Sequence, residues 1–295
     1  MSVTVRVPAK VNVRLAVGPA RPDGFHDLAN VFLAVGLYDE VTVAPAEELR
    51  VTCSGPDAAQ VPLDRTNLAA RAALALAERH GRSADVHIHI AKDIPVAGGM
   101  AGGSADGAGA LLACDALWGT GASRAELLDL CAELGSDVPF SLVGGAALGT
   151  GRGEKLQELA VGGGFHWVFA LADGGLSTPA VYREFDRLTP DAPAPEASPA
   201  LLDALRAGDA AALAGAVSND LQPAALSLSP ALADTLKAGT EAGALAGIVS
   251  GSGPTTAFLA KDATTAEQIA TALRASGTCR TARVASSPAP GATVL

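Results

Sequence analysis

Basic charge is what this sequence has least of. Its 21 Lys and Arg stand against 31 Asp and Glu, a net charge of −10 over 295 residues. Nucleic acid and anionic membrane surfaces both recruit basic patches, so neither is an expected partner. Cysteine is sparse as well: Cys53, Cys114, Cys131 and Cys279 stand far apart, with no C-x-x-C spacing. Cys114 and Cys131 fall on apolar helical stretches. That favours buried free thiols over disulfides or zinc, and a reducing, cytoplasmic setting. A membrane-spanning run is missing too. The longest uncharged stretch, Ala242–Ala260, carries four glycines, Pro254 and several hydroxyls, which a lipid-facing helix would not choose. Met1–Lys10 begins in strand-like alternation, without the basic and apolar regions of a signal peptide. No fixed-period repeat is visible, and a chain that is 49% hydrophobic and 18% charged is not disordered.

What is present is room for one large or two ordinary domains, rich in backbone turns. Val3, Val5 and Val7, then Val11, Val13, Leu15 and Val17, alternate as strands do. A turn-rich segment, Gly18–Gly24, precedes the apolar run Val31–Leu37. Helical patterns cover Asn67–His80, Ser104–Trp118 and Ser123–Leu134, the last opened by a Ser123/Glu126 capping box. The proline-rich Thr189–Pro199 reads as an exposed loop. Beyond it, helices over Pro199–Arg206, Asp209–Val217, Ser229–Ala242 and Thr264–Ala275 alternate with strands over Gly247–Ser250, Thr255–Leu259 and Arg280–Ala285. That succession points to a small α+β sandwich, with Ser286–Leu295 left as a tail.

Four segments suggest chemistry. Pro95–Asp106 places two Gly-Gly pairs between a strand and a helix, where backbone amides and the helix dipole can cradle phosphate. No Gly-Lys-Ser/Thr follows and the G-x-G-x-x-G spacing is absent, so it is neither a Walker A loop nor a dinucleotide fingerprint. A glycine turn that merely packs a helix on a sheet is the alternative. Lys10 and Asn12 share one strand face, either solvated or aimed into a cleft. Asp137, between Gly135 and Pro139, is either a turn former or a general base. Gly251–Thr256 is a second glycine turn, either a plain hairpin or a partner to the first loop. His87 and His89 lie on one side of a strand and read as its solvent face rather than as metal ligands.

Pro8-Ala-Lys-Val-Asn12, Arg21-Pro-Asp-Gly-Phe-His26, Gly-Gly-Ser-Ala-Asp106, Gly-Ser-Asp137-Val-Pro-Phe140 and Ser250-Gly-Ser-Gly-Pro-Thr255, in this order, resemble the GHMP kinase superfamily over almost the whole chain. The resemblance implies an α+β fold of two domains with the active site in the cleft between them. Residues 1–155 would form an N-terminal ribosomal-protein-S5-domain-2-like α/β domain with a left-handed crossover. Residues 156–295 would form a C-terminal ferredoxin-like α+β domain. It implies ATP-dependent phosphorylation, with Mg2+, of the 2-hydroxyl of a cytidine diphosphate ester of a polyol, on the non-mevalonate route to isoprenoid precursors. Carried over by position, Pro95-Val96-Ala97-Gly98-Gly99-Met100-Ala101-Gly102-Gly103-Ser104-Ala105 is the ATP loop, and Ser104 is the candidate hydroxyl toward the metal. Lys10 and Asp137 are the catalytic pair. Asn12 and Thr178 lie against the substrate, Phe25 and Tyr182 sandwich the cytosine, and His26 bonds its edge. Four residues depart from the family pattern. Met100 and Ala101 replace a Leu and a Gly, and Ala101 is expected to keep a negative φ. Phe25 and Tyr182 exchange the family's usual Tyr and Phe, which keeps two stacking faces. Another small-alcohol kinase of the superfamily, or a nucleotide-binding regulator without chemistry, remains as a rival reading.

Overall fold

The computed structural model describes residues 2–295. The first sheet begins with two long strands, β1 (Val3–Ala20) and β2 (His26–Pro45), paired antiparallel. Valines supply the inner face of β1: Val5, Val7, Val11 and Val13 are wholly buried, as β-branched residues on a covered sheet face should be. The ladder shifts register between Pro8 and Ala9 and again between Asn12 and Arg14. Proline cannot donate to a ladder, and bulges re-aim neighbouring side chains. The two irregularities therefore bracket Lys10–Asn12. Strand β3 (Arg50–Ser54), helix α1 (Leu68–Arg79) and strand β4 (Val86–Ala91) complete the sheet's far side, with β3 and β4 parallel. His87 and His89 are half-buried there, sharing the Thr52 hydroxyl, with Ser54 beside His89.

Helix α2 (Gly102–Trp118) is buried nearly all round. It lies so close to the sheet that a Cβ on Gly109 would stand 2.8 Å from both Val41 and Val7. Cys114 and, on α3 (Arg124–Leu134), Cys131 are buried free thiols, and burial pushes both up to about 12. The Ser123 hydroxyl accepts from Glu126 N–H at the start of α3, one half of the expected capping box. A short helix α4 (Val138–Val143) then leads to the hairpin of β5 (Ala146–Thr150) and β6 (Lys155–Glu158), which pairs with β2.

Strand β7 (Phe165–Leu171) opens the second sheet. After it come α5 (Thr178–Leu188), α6 (Pro199–Ala207), α7 (Ala210–Ala214), a two-residue strand β8 (Ser218–Asn219), α8 (Gln222–Leu228) and α9 (Ala231–Glu241). The chain then forms the hairpin β9 (Ala246–Val249)–β10 (Thr256–Ala260), helix α10 (Ala263–Ser276) and strand β11 (Thr281–Ser287). The sheet order β11-β7-β10-β9, all antiparallel, is that of a ferredoxin-like split unit, as expected. Among the described residues no helix is long and apolar enough to cross a membrane.

The expected C-terminal tail is not one. Ser286 and Ser287 end β11, with Ser287 accepting from the indole of Trp167 at 3.1 Å. Ala289 exchanges backbone bonds with Gly145 and Ala34, and β12 (Thr293–Val294) pairs with Val5 and Arg6 of β1. Small residues permit this return: a Cβ on Gly291 would stand 2.3 Å from the Leu142 carbonyl. β8 also joins β1, in parallel. Each of these backbone bonds contributes about 1 kcal/mol. Deleting residues 288–295 should therefore lower the melting temperature by roughly 5–10 °C. Calorimetry showing an unchanged transition would mark the segment as a tail after all.

Candidate functional site

A cavity of about 590 Å3 opens between the two sheets. One wall is the glycine loop, which contributes Pro95, Ala97, Gly98, Gly99, Ala101, Gly102, Gly103 and Ser104. Val96 faces away, toward a small space behind the loop, while Met100 and Ala105 are wholly buried. Met100 thus anchors the loop in the core. With Met100 held inward and α2 starting at Gly102, the chain must turn within one residue. Ala101 makes that turn at φ 61° and ψ 31°. The expected negative φ is wrong: Ala101 occupies the left-handed region that its glycine counterpart would enter freely, at a cost of about 1–2 kcal/mol. Ala97, at φ 53°, is a second such residue. Strain of this kind gathers where surrounding contacts over-determine the backbone.

Those contacts converge on one carbonyl. Gly99 O accepts from Lys10 Nζ at 2.9 Å and from Ser250 Oγ at 3.0 Å. A Cβ on Gly99 would lie 2.1 Å from Ser250 O, so only glycine fits between the loop and the β9–β10 turn. Asn219 holds that turn from the other side, its amide donating to Val249 O and Gly251 O. The second glycine turn is therefore a hairpin and also the opposite wall of the cleft, through Gly251, Ser252 and Gly253.

Lys10 and Asn12 face this cleft, yet are only 5% and 2% exposed. The Lys10 ammonium donates to Asn12 Oδ1 at 2.5 Å and to Gly99 O, leaving its third proton toward Asp137 Oδ2 at 3.6 Å. Burial lowers the Lys10 pKa, opposed by the Asp137 carboxylate. Asn12 completes its amide by donating to Asn30 at 2.7 Å. The oxygen end of that side chain thus holds Lys10, and the nitrogen end is tied to Asn30. Asp137 is the residue on which α4 begins, and its side chain caps nothing. The Asx-turn alternative therefore fails, and the carboxylate is free toward the cavity.

The cavity's far end holds Phe25, His26, Thr178 and Tyr182. Phe25 is 48% exposed, an unusual place for a phenyl ring, whereas burial raises the pKa of the Tyr182 hydroxyl. His26 Nε2 lies 2.8 Å from Asp186 Oδ1. The Thr178 hydroxyl lies 2.9 Å from that of Ser252, which joins α5 to the glycine turn. Sequence reasoning missed Arg152, at the tip of the β5–β6 hairpin, whose guanidinium lies 4.9 Å from the Phe25 ring centre. Asn30, Asn219 and Asp186 were missed as well. Asn30 carried the clearest signal, as a polar residue in the otherwise apolar run from Leu28 to Val35.

Beneath the first turn of α2 lies a buried charge cluster. Lys92 Nζ donates to Asp39 at 2.5 Å and to Asp106 at 2.9 Å, with all three residues 3% exposed or less. Asp39 is satisfied, because its other oxygen accepts from the amides of Asp93 and Ile94. Among the described residues, Asp106 Oδ1 has no partner. Burial pushes the Asp106 carboxyl up to about 7, against the pull of Lys92 and with the Asp39 charge adding to the rise. Burial also works against the Lys92 ammonium, but the two carboxylates together raise its pKa.

Known proteins resemble this chain over its whole length. The GHMP kinases N terminal domain family matches residues 67–145, and the GHMP kinases C terminal family matches residues 201–279. The chain is 81% identical to the 4-diphosphocytidyl-2-C-methyl-D-erythritol kinase of Streptomyces avermitilis over the full length of both. It is 62% identical to the protein of that name from Thermobifida fusca, over all of this chain and 98% of that one. A crystal structure of 4-(cytidine 5'-diphospho)-2C-methyl-D-erythritol kinase superposes with a TM-score of 0.78 at 33% identity, covering 97% of this chain and 99% of that one. A homoserine kinase from Cytophaga hutchinsonii shares the fold, with a TM-score of 0.78 at 21% identity over 100% of this chain and 97% of that one.

The charge cluster makes stability depend on pH. Because the folded-state value of Asp106 is raised, the fold holds a proton that the unfolded chain has released. Its contribution is complete below the ordinary carboxylate value of 3.8 and is lost as pH rises through about 7. Asp106→Asn keeps an oxygen for Lys92 without the charge. Its melting temperature should gain on that of the wild-type chain as pH climbs through this window. A gap independent of pH in calorimetry would contradict the raised value.

Proposed function

The chain belongs to the GHMP kinases, and we propose that it transfers the γ-phosphoryl group of ATP to the 2-hydroxyl of 4-diphosphocytidyl-2-C-methyl-D-erythritol. It is a small-molecule kinase of the two-domain GHMP fold. The observation that carries the reading is the pair Lys10 and Asp137, 3.6 Å apart in one cavity, with a phosphate-type loop on one side and aromatic rings on the other. The division into domains at residues 1–155 and 156–295 belongs to the same proposal. So does a cytoplasmic setting, which the four free thiols fit.

Phosphoryl transfer needs positioning and charge neutralisation more than covalent chemistry. The amides of Ala97–Ser104 and the N-terminal end of α2 face the β- and γ-phosphates. Lys10, held by Asn12 and Gly99, meets the negative charge on the transferred group. Asp137 accepts the hydrogen bond of the substrate hydroxyl and takes its proton as the new O–P bond forms, with ADP leaving. Phe25 and Tyr182 stack on the cytosine, and His26 meets its edge. Thr178 lies alongside the substrate. Neither a mevalonate-type nor a homoserine-type substrate carries a base for those rings. A regulator without chemistry would need no free carboxylate beside Lys10.

Mg2+ fits the donors present. Ser104 and Asp137 offer oxygen ligands in the cavity, and this ion is held largely by substrate phosphates and water rather than by a protein cage. When bound, it would neutralise phosphate charge.

Two substitutions test the reading by steady-state kinetics on both substrates. Asp137→Asn should cut kcat by at least about 10²-fold with little change in KM for ATP. Turnover close to that of the wild-type enzyme would remove Asp137 from the mechanism. Tyr182→Ala should raise KM for the cytidylyl substrate and leave that for ATP unchanged. Equal rises in both would contradict stacking.

A further inference from the structure

His26 is held on three sides. The Tyr182 ring lies 4.9 Å away at a tilt of 36°, and Phe185 meets it edge-on at 6.1 Å and 80°. Nε2 lies 2.8 Å from Asp186 Oδ1, on α5 one turn beyond Tyr182. The imidazole is nearly closed off, its side chain 5% exposed, whereas Asp186 is 41% exposed. Packing therefore fixes the plane of the ring, and the carboxylate fixes its chemistry. A carboxylate accepts and does not donate, so Nε2 must carry the proton. In a neutral imidazole the other nitrogen is then an acceptor. Nδ1 has no protein partner among the described residues and is not among the sealed, unpartnered atoms.

We propose that Asp186 is a positioning residue for base specificity: by fixing the Nε2–H tautomer of His26, it leaves Nδ1 as an acceptor that selects cytosine over uracil. This rests on the reading of the cleft given above. The two pyrimidines differ where cytosine presents its N4 amino group as a donor and uracil its O4 carbonyl as an acceptor. An acceptor preset in the wall bonds the first and opposes the second. A site built around one hydrogen bond rejects the analogue lacking it far more strongly than an apolar pocket can, because the wall group is left unpaired. Tyr182 and Phe25 stack on either base alike, so ring-stacking alone gives no such choice.

The test compares kcat/KM for the cytidine and uridine diphosphate esters of the same polyol at pH 8. In Asp186→Asn the amide can turn its NH2 toward Nε2, which allows Nδ1 to bear the proton and meet O4. The cytidine-to-uridine ratio should fall at least about tenfold, largely because the uridine ester improves, with KM for ATP unchanged. Asp186→Glu, which keeps an accepting carboxylate, should hold the ratio near that of the wild-type enzyme. A gain on the wrong base is not something a merely structural residue can give. An unchanged ratio in Asp186→Asn, or an equal fall on both esters, overturns the tautomer lock while leaving the kinase reading intact. Refusal of the cytidine ester by the wild-type enzyme overturns the reading of the cleft, and this inference with it.

Discussion

A single backbone oxygen, that of Gly99, is the point on which the cleft depends. It takes a hydrogen bond from Lys10 on the first strand and another from Ser250 on a hairpin some 150 residues later in the chain. The phosphate-type loop is thereby held between the two sheets, with its backbone against Ser250 and Gly253. Two left-handed alanines show that the loop is shaped by its surroundings rather than by local preference. Met100 supplies the inward anchor, and the first residues of α2, Gly102–Ser104, line the cavity.

In the proposed reading, the same arrangement lets an acidic protein handle anionic ligands. A net charge of −10 excludes extended polyanions but says nothing of small ones. On that reading, the groups that would neutralise them within the cleft are backbone amides, a helix end, the buried Lys10 and Arg152 at the rim. These act at close range in a partly dehydrated space, where global charge has little influence. Charge is confined beneath the loop as well. Lys92 holds two carboxylates under the first turn of α2, and its ammonium would lie 2.8 Å from a Cβ on Gly102. One of those carboxyl oxygens is without a partner among the described residues, directly beneath the glycine loop.

Much of this was legible in the chain. Alternating valines marked β1, Asn67 and Ser123 marked the starts of α1 and α3, and the spacing of Gly98–Gly103 marked the loop that lines the cleft. Lys10, Asn12 and Asp137 stood out by type and neighbourhood, although each had a bland alternative that only burial and packing removed. Other features were illegible for physical reasons. Residues 288–295 looked like a tail because their contacts, with Gly145, Ala34 and β1, are all remote in sequence. Ala101 was assigned the wrong backbone because local preference disfavours what tertiary packing imposes. Asp186 and Arg152 carry no motif, and their neighbours His26 and Phe25 come from more than 120 positions away.

The sequence by itself determined the strands and helices, the glycine loop and the residue types able to do chemistry, since periodicity, capping and side-chain chemistry are local properties. Only the tertiary structure decided that Lys10 and Asn12 are buried rather than solvated, that two glycine turns face each other, and that His26 is pinned by Asp186. Those facts depend on which surfaces come together, and that is settled by the packing of the two sheets rather than by any stretch of chain.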